Sequence, residues 1–312
     1  MRILVLLFFL TGINWLGADD AMRMAAQRAI PLIEKSAAIY TQERDCFSCH
    51  HQALTVMTLS RAKLAGLSVR DDTISAQTKF TLEYFGDRKD RLPKGEGVPG
   101  GSYSAGYALA GLAVAKESAN EISKALVQYL LKKQNKDGSW HIRTHRPPLE
   151  DSDLMATALG IKGIPEGTNA KRASNWLKQA EAKSTEDHAF KVLGLHWAKA
   201  DQEKTAAAKA LLKLQREDGG WAQLPKMKSD AYSTGQALAA MKESGLLEAN
   251  SHQYKNGVAW LLKTQKADGS WQVKTRSKPI QKYFESGFPH GQDQFISISA
   301  TCWAVMALLA KK

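Results

Sequence analysis

The stretch that decides the fold is LLKKQNKDGSW, from Leu130 to Trp140, because the chain uses the same unit twice more. The other copies are LLKLQREDGGW (Leu211 to Trp221) and LLKTQKADGSW (Leu261 to Trp271), and the three align without gaps. In each copy the two leucines close an amphipathic helix, and glutamine occupies its last turn. Asp-Gly then ends the helix, because glycine accepts the left-handed conformation found at helix ends. The tryptophan is expected to return onto the helix end.

Each unit is followed by a loop and then by a segment rich in small apolar residues, such as DLMATALGIKGI and FISISATCWAVMALLA. These segments are apolar nearly all round, which predicts buried helices. Cutting the rest of the chain in the same way gives six helix pairs of roughly 49 residues each, in the size range of helical repeat proteins. We therefore predict an all-α protein with the first helix of each pair outside and the second inside.

Three of the pairs lack the repeated unit. The first is predicted at residues 21–41 and 50–66, and the second at 72–85 and 102–116. A shortened fourth pair, NAKRASNWLKQAEAK and TEDHAFKVLGLHWAKA, has no Asp-Gly turn. An array of this kind can close on itself, so we predict that pair six packs beside pair one. Cys302 would then be a buried apolar thiol.

The Gln-x-x-Asp-Gly-x-Trp units resemble the QW repeats of squalene and oxidosqualene cyclases, which protein prenyltransferase β-subunits share in weaker form. The resemblance implies an (α/α)6 toroid around a central cavity, and it covers essentially the whole chain after the N-terminal segment. In the QW repeats, glutamine and tryptophan tie a helix end to its loop. We therefore assign six side chains to stability rather than chemistry: Gln134, Trp140, Gln215, Trp221, Gln265 and Trp271.

The N-terminus, MRILVLLFFLTGINWLGA, predicts a signal peptide over residues 1–18. Arg2 precedes a short apolar run, and small residues follow at a plausible cleavage point. The run is too short to span a bilayer, which needs about 20 apolar residues. We therefore expect an exported protein, periplasmic or extracellular, with no transmembrane segment and a single toroid domain at residues 19–312.

Composition narrows the function classes. The formal net charge is +12, but the lysines lie within helical segments where they form a solvated outer face. No nucleic-acid-binding motif accompanies them, so we predict no nucleic-acid partner. Three cysteines are too few for a disulfide scaffold in a chain of this length, so stability has to come from a core.

All inner helices of such a toroid begin at one end, so their N-termini form one rim where polar residues gather. Asp153, Asp230 and Asp293 are expected to cap helices there, because aspartate accepts the free N–H groups of a first turn. The polar residues predicted at this rim are Cys46, Cys49, His50, His51, Tyr103, Asp151, Asp153, Asp187, His188, Asp230, Tyr232, His290 and Asp293.

The stretch LEDSDLMATAL carries an enzyme hypothesis. Squalene-hopene-type cyclases have an Asp-x-Asp-Asp motif whose middle acid protonates the polyene, and Asp151 and Asp153 match its first and middle acids. Asp153 is then the candidate general acid of a terpenoid cyclase. In the family motif the third acid helps to make the proton donor strongly acidic. Here Leu154 replaces that third acid. The family also builds its site between two helical domains. We therefore expect a non-cyclising protein, with cyclisation as the alternative.

The stretch DCFSCHHQAL, from Asp45 to Leu54, contains Cys-x-x-Cys-His, the attachment signature of c-type haem. Two thiols one short turn apart reach the two vinyl groups, and the next residue presents imidazole to the iron. We predict haem attached to Cys46 and Cys49, with His50 as axial ligand and His290 as candidate sixth ligand. The function would be electron transfer with a redox partner, or binding of an apolar small molecule in the cavity.

Three alternatives remain for the same segment. Cys46 and Cys49 can form a disulfide, which export permits. They can also bind zinc together with His50 or His51 and a distant His290, in a Cys2His2 set. Finally, CFSC can be a replacement turn, because it occupies the position where other pairs have Asp-Gly-x-Trp.

Overall fold

The computed structural model describes residues 15–309, and these residues form twelve α-helices and no β-strand. The all-α prediction is thus confirmed. In chain order the helices are α1 (Trp15–Glu43), α2 (Leu54–Leu64), α3 (Asp71–Gly86), α4 (Gly101–Val114), α5 (Glu121–Lys133), α6 (Asp153–Gly163), α7 (Thr168–Gln179), α8 (Thr185–Trp197), α9 (Asp201–Leu212), α10 (Ala231–Glu243), α11 (His252–Thr264) and α12 (Gln294–Leu308).

The predicted signal peptide falls mostly on residues 1–14, which lie outside the described residues, so it stays a prediction. Residues 15–18 belong to the start of α1. Within residues 15–309, no helix combines the length and the apolarity that crossing a bilayer requires.

The six even-numbered helices form a closed inner ring. Each contacts the next even-numbered helix along the chain, and α12 contacts α2. The odd-numbered helices pack outside this ring, and α1 contacts both α11 and α12. The six-pair toroid and the predicted closure of pair six onto pair one are therefore confirmed. Cys302, in α12, is fully buried as expected, and burial raises the pKa of its thiol to about 12.

Each repeated unit braces its helix end in the same way. The Trp140 indole Nε1–H donates to the Leu130 carbonyl at 2.9 Å, and the Trp140 backbone N–H donates to Thr157 Oγ1 at 3.1 Å. One tryptophan thus joins the end of an outer helix to the next inner helix. The same two bonds recur at Trp221 with Leu211 and Thr234, and at Trp271 with Leu261 and Thr301.

The glutamines join neighbouring pairs. Gln134 Nε2 donates to the carbonyl oxygens of Gly138 in its own loop and Asn169 in α7, both at 2.9 Å. Gln265 makes the corresponding bond to the Ala25 carbonyl in α1, at 2.8 Å, and so helps to close the ring. The structural role predicted for the glutamines and tryptophans is confirmed.

The glycine of the unit is required by close approach as well as by backbone conformation. Gly269 has φ +90°, and a Cβ at this position would lie 2.4 Å from the Arg28 carbonyl oxygen in α1. A side chain there would push pair six away from pair one. The Asp-Gly dipeptide therefore sets both the turn and the spacing between neighbouring pairs.

The capping prediction is right for one of three aspartates. Asp230 caps α10, since its carboxylate accepts the Ser233 N–H at 2.9 Å. The prediction is wrong for Asp153 and Asp293. Each accepts a backbone N–H from the loop that precedes its helix, at 2.7 Å and 2.9 Å, so each fastens a loop instead of capping a helix.

Candidate functional site

The first turns of the inner helices meet at one end of the ring, as predicted. The Ser152 hydroxyl at the start of α6 donates to Asp187 in α8, and the Tyr232 hydroxyl in α10 donates to Glu186 in α8. Most of the side chains that the sequence singled out lie at this N-terminal end.

The Cys-x-x-Cys segment reaches this end through a π-helical turn (Cys49–Ala53) that leads into α2. Both cysteines are free thiols. Cys46 Sγ lies 3.4 Å from the Tyr40 hydroxyl on outer helix α1, whereas Cys49 Sγ lies 3.4 Å from the Tyr103 hydroxyl on inner helix α4. The two thiols therefore face different layers of the toroid.

The two histidines that follow are held uncharged. Burial, and after it the charge of Arg146, lowers the pKa of His50 to about 3. Burial also holds the pKa of His51 well below its ordinary value, with a smaller contribution from His50. Neutral imidazole is the form that binds metals. However, His50 Nδ1 lies 2.8 Å from Ser48 Oγ and His51 Nε2 lies 2.9 Å from Ser36 Oγ, so these nitrogens already have protein partners.

His290 lies in the loop before α12, with its Nε2 atom 2.7 Å from Ser270 Oγ. Burial lowers the pKa of this histidine as well. Within residues 15–309, no three His, Cys, Asp or Glu side chains converge in a way that would hold a metal ion. The set of Cys46, Cys49, His50 and His290 is thus not assembled as a four-ligand site in the described structure.

The fit to haem can be judged from the same atoms. Covalent attachment needs both thiols to reach one porphyrin edge while the histidine reaches the iron. The donors are present, but Cys46 and Cys49 point to different layers, and Cys49 is buried against Tyr103. This arrangement of the two thiols does not fit a single porphyrin.

Asp151 and Asp153 are both paired with histidines of the preceding loop. His145 Nδ1 lies 2.5 Å from Asp151 Oδ1, and His141 Nδ1 lies 2.7 Å from Asp153 Oδ2. The Asp153 side chain is 39% exposed. A polyene has to be protonated away from water, which would otherwise capture the cation. The position of Asp153 at the surface therefore does not suit the proton transfer that the resemblance implies.

A cavity of about 730 Å³ opens at this end. It lies between residues 142–145, the starts of α6 and α8, and the end of outer helix α7, and its wall includes Leu154, Trp176 and Asp187. Asp187 itself is structural, because it forms a capping box with Ser184. Cavities of this size accommodate small organic molecules.

The opposite end of the ring is closed by a polar network. Arg61 at the end of α2 forms a 3.2 Å ion pair with Glu243 at the end of α10, across the intervening α12. The Trp197 indole of α8 donates to Glu243 at 3.0 Å, and Lys162 of α6 lies 4.9 Å from the centroid of the Trp197 ring. Arg61 also donates to the Met306 carbonyl of α12 at 3.4 Å. Five of the six inner helices are joined in this way.

Glu186, which sequence reasoning missed, is the acid inside the ring. The residue is 5% exposed, and Tyr232 and Gln236 both donate to its Oε1 atom. Burial raises the pKa of Glu186 well above its ordinary value; these two bonds oppose the shift, while the charges of Asp187 and Asp151 add to it. The Glu186 carboxyl is therefore harder to ionise than an exposed glutamate.

A sequence signal for Glu186 existed. It precedes Phe190 by four residues in a helix that is otherwise apolar on that side, and helical spacing puts both on one face. The polar residues predicted at the rim for this helix start were Asp187 and His188, and Glu186 was not among them.

Comparison with known proteins agrees with this architecture. A family model for the squalene-hopene cyclase C-terminal domain matches residues 183–312. A squalene–hopene cyclase from Zymomonas mobilis is 26% identical over 196 residues. That match covers 57% of this chain and 23% of the relative, so this chain spans only a small part of the curated protein's length.

Solved structures of the type II terpene cyclase MstE from Scytonema are similar over nearly the whole chain. One, in complex with its substrate geranylgeranyl dihydroxybenzoate, has a TM-score of 0.62 at 15% identity and covers 94% of this chain and 98% of that one. Another, with the product merosterolic acid A, has a TM-score of 0.57 at 16% identity, with coverages of 91% and 97%. The chain therefore has the α/α-toroid fold of the terpene cyclases, and its C-terminal part resembles the squalene-hopene cyclase C-terminal domain.

Proposed function

We propose that the toroid binds an apolar small molecule in its lumen and does not cyclise it. The observation that carries the proposal is the difference between the two ends of the inner ring. One end is joined by Arg61 and Glu243, and at the other a cavity of about 730 Å³ lies beside the first turns of α6 and α8. This difference supports ligand entry at the N-terminal end.

The character of the lumen supports an apolar ligand. Phe190 of α8 and Trp303 of α12 meet edge-on with ring centroids 6.0 Å apart, although α10 lies between their helices in the ring. The two rings therefore meet inside the ring of helices. Aromatic side chains offer large apolar faces on which an apolar ligand can pack.

Three observations support a non-cyclising protein. Leu154 stands where the third acid of the cyclase motif would be, and Asp153 is half-exposed and bonded to its own loop. Glu186 is inside, but its raised pKa makes it a weak acid. Protonation of an alkene needs a strong one.

Binding is tested by titrating the protein with farnesol and following tryptophan fluorescence. We expect saturable quenching, because Trp303 lies inside the ring. The quenching should shrink in Trp303→Phe, which keeps an aromatic ring at this position. Absence of saturable binding in native mass spectrometry and in the titration would refute the proposal.

Cyclisation is tested by incubation with squalene and with geranylgeranyl dihydroxybenzoate, followed by product analysis. We expect only unreacted substrate. A cyclic product that disappears in Asp153→Asn would overturn the proposal and make Asp153 the general acid of a terpenoid cyclase.

Haem c on Cys46 and Cys49, with His50 as axial ligand, is the second candidate for this protein. The free thiols and the neutral His50 support it, whereas the divergence of the thiols does not. Export, a redox partner, His290 as sixth ligand, and zinc as the alternative metal also stay predictions. Mass spectrometry of protein made with the cytochrome c maturation machinery tests haem. An unmodified mass without a Soret band would refute it, and metal analysis of the same sample would then test zinc.

A further inference from the structure

We infer that a second cavity, of about 360 Å³, binds the phosphate group of a phosphate monoester between the start of α4 and the end of outer helix α5. The inference is independent of the lumen binding proposed above, because it concerns other residues and another cavity. It follows from three features of this cavity: two buried hydroxyl groups without partners, two unpaired cations, and a helix start without a side-chain cap.

Two buried hydroxyl groups in the cavity wall lack hydrogen-bond partners. Ser102 lies in the first turn of α4 and is 6% exposed, and Tyr129 lies near the end of α5 and is 3% exposed. Neither hydroxyl bonds to any atom of residues 15–309, and neither oxygen is fully enclosed, so both open toward the cavity. Native structures keep few such groups, because each reduces stability. Both can donate to an acceptor in the cavity.

The start of α4 contributes to the same space. Gly100 precedes the helix without a side-chain cap, so no side chain covers the first N–H groups of α4. A Cβ at Gly101 would lie 4.0 Å from the Tyr129 hydroxyl oxygen, which places this hydroxyl beside the first residue of the helix. Gly97, Gly100 and Gly101 all have positive φ, and the absence of side chains lets a ligand approach the backbone. The partial positive charge at a helix start favours an anion.

Two cations line the cavity without a protein partner. Lys133 ends α5 and Arg143 lies in the loop that follows, and neither has an ion pair or hydrogen bond with any described residue. Arg143 lies between the two cavities and lines both. Burial raises the pKa of Tyr129 and the charge of Arg143 opposes this shift, so the guanidinium lies near the hydroxyl. These cations are therefore available to an anionic ligand.

The repeated units indicate that the cations are not part of the brace. The position of Lys133 is occupied by Leu214 and Thr264 in the other two units, and the position of Arg143 is occupied by Leu224 in the second unit. The tryptophan makes the same two bonds in all three units. The brace therefore forms without these charges, and they need another explanation.

The acids near the cavity have partners of their own. Glu96 lines the cavity and lies 3.7 Å from Arg91 in an ion pair. Glu150 lies close to the start of α4, where its carboxylate accepts from Thr144 at 2.7 Å and from Arg146 at 3.4 Å. These acids are thus engaged by groups other than Lys133 and leave its charge uncompensated.

A phosphate monoester fits the donors of this cavity. Near neutral pH it carries a charge of about −1.5 to −2 on three acceptor oxygens. The cavity offers two cations and two hydroxyl groups, whereas a carboxylate has one charge and two oxygens to receive them. A guanidinium also matches the spacing of phosphate oxygens and binds two of them at once. The volume of about 360 Å³ leaves room for a small organic group beside the phosphate.

The test is isothermal titration calorimetry of the full chain with glycerol 3-phosphate, and with glycerate as the carboxylate analogue. We expect saturable binding of glycerol 3-phosphate and at least tenfold weaker binding of glycerate. Ser102→Ala and Arg143→Gln should each weaken binding about tenfold, because each removes a hydrogen bond to a charged group. Lys274→Gln removes a positive charge at the corresponding position of the third unit and should bind like the wild type.

Vesicles that contain phosphatidic acid distinguish the two sources of a phosphate monoester. Vesicle binding that glycerol 3-phosphate displaces would identify a lipid headgroup, and binding of glycerol 3-phosphate without vesicle binding would identify a soluble ester. Either result supports the inference.

Three results would overturn it: no saturable binding of glycerol 3-phosphate, equal affinity for glycerate, or the same loss in Lys274→Gln as in Arg143→Gln. The last would mean that the overall positive charge attracts the anion. Melting curves without ligand check that the variants fold, and Tyr129→Phe replaces Ser102→Ala if that variant does not.

Discussion

At the C-terminal end of the inner ring, Glu243 faces Arg61 in a 3.2 Å ion pair with side chains 23% and 21% exposed. At the N-terminal end, Glu186 forms no ion pair with any described residue and is almost fully buried. Burial alone would raise the pKa of both carboxyls, but Arg61 and the Trp197 hydrogen bond lower the pKa of Glu243. The same residue type therefore has a lowered pKa where a cation pairs it and a raised pKa where burial alone acts.

This difference suggests a division of labour. Cations at helix C-termini complement the helix dipoles, so Arg61 and Lys162 stabilise the closed end. The other end depends on the repeated loop units, whose tryptophans and glutamines tie helix ends together. It also contains the buried Glu186, which pairs with no described cation.

The largest effect is expected from removing a brace at the N-terminal end. Trp271 is 1% exposed and bonded to the Leu261 carbonyl. Trp271→Ala should lower the free energy of unfolding by about 3–5 kcal/mol, because it leaves a large cavity. The control is Trp260→Ala on outer helix α11, where the indole is half-buried and a loss of about 1 kcal/mol is expected. Urea unfolding measures both, and equal losses would contradict a bracing role for Trp271.

The next effect concerns Glu186 and depends on pH. Its folded pKa lies above the unfolded value, so between these values the folded state keeps a proton that the unfolded state releases. Its contribution to stability is complete below the unfolded pKa and declines as pH rises toward the folded pKa. Glu186→Gln has a similar shape and does not titrate, so it should lack this decline. We expect the melting temperature of the variant to rise relative to that of the wild type between pH 5 and pH 9. The same pH dependence in both proteins would mean that Glu186 is ionised in the folded state.

At the closed end, Glu243→Ala should lower the free energy of unfolding by about 2 kcal/mol. This is less than the loss expected for a fully buried ion pair, because water reaches both partners. The folded pKa of Glu243 is lowered, so its stabilisation is present above the unfolded pKa and is lost as pH falls through the folded one. Urea unfolding at pH 7 and pH 3 measures the loss, which should be smaller in acid. Glu83→Ala removes an exposed pair with Lys79 and should change stability by less than about 0.5 kcal/mol. A pH-independent loss for Glu243→Ala would argue against the ion pair.

The smallest effect is expected for the glutamine that closes the ring. Gln265 donates to the Ala25 carbonyl in α1, whereas Gln134 makes the same kind of bond between consecutive pairs. Each change to alanine should cost about 1 kcal/mol. Only Gln265→Ala should speed hydrogen exchange in α1, because it loosens the junction between pair six and pair one. Identical exchange in the two variants would mean that closure does not depend on this bond.

The site could be predicted only in part from the sequence. Its location at the N-termini of the inner helices followed from the order of the helices. The orientation of each side chain could not be predicted in this way, because it depends on partners that are remote in sequence. Glu186 and its partner Tyr232 are 46 residues apart, and Cys49 and Tyr103 are 54 residues apart. Asp153 was placed at the correct helix start, but packing turned it toward His141 and away from the lumen.

The sequence by itself determined the helices, their pairing and the braces, because these rest on local rules. An amphipathic period, a glycine that turns the chain and a tryptophan ten residues from its carbonyl partner act within one unit, and the unit is repeated. The tertiary structure alone decided which end is closed and which of the two acids has a raised pKa. Ring closure brings Arg61 to Glu243 and encloses Glu186 away from any described cation. The balance between burial and charge pairing then sets the direction in which the pKa of each carboxyl shifts.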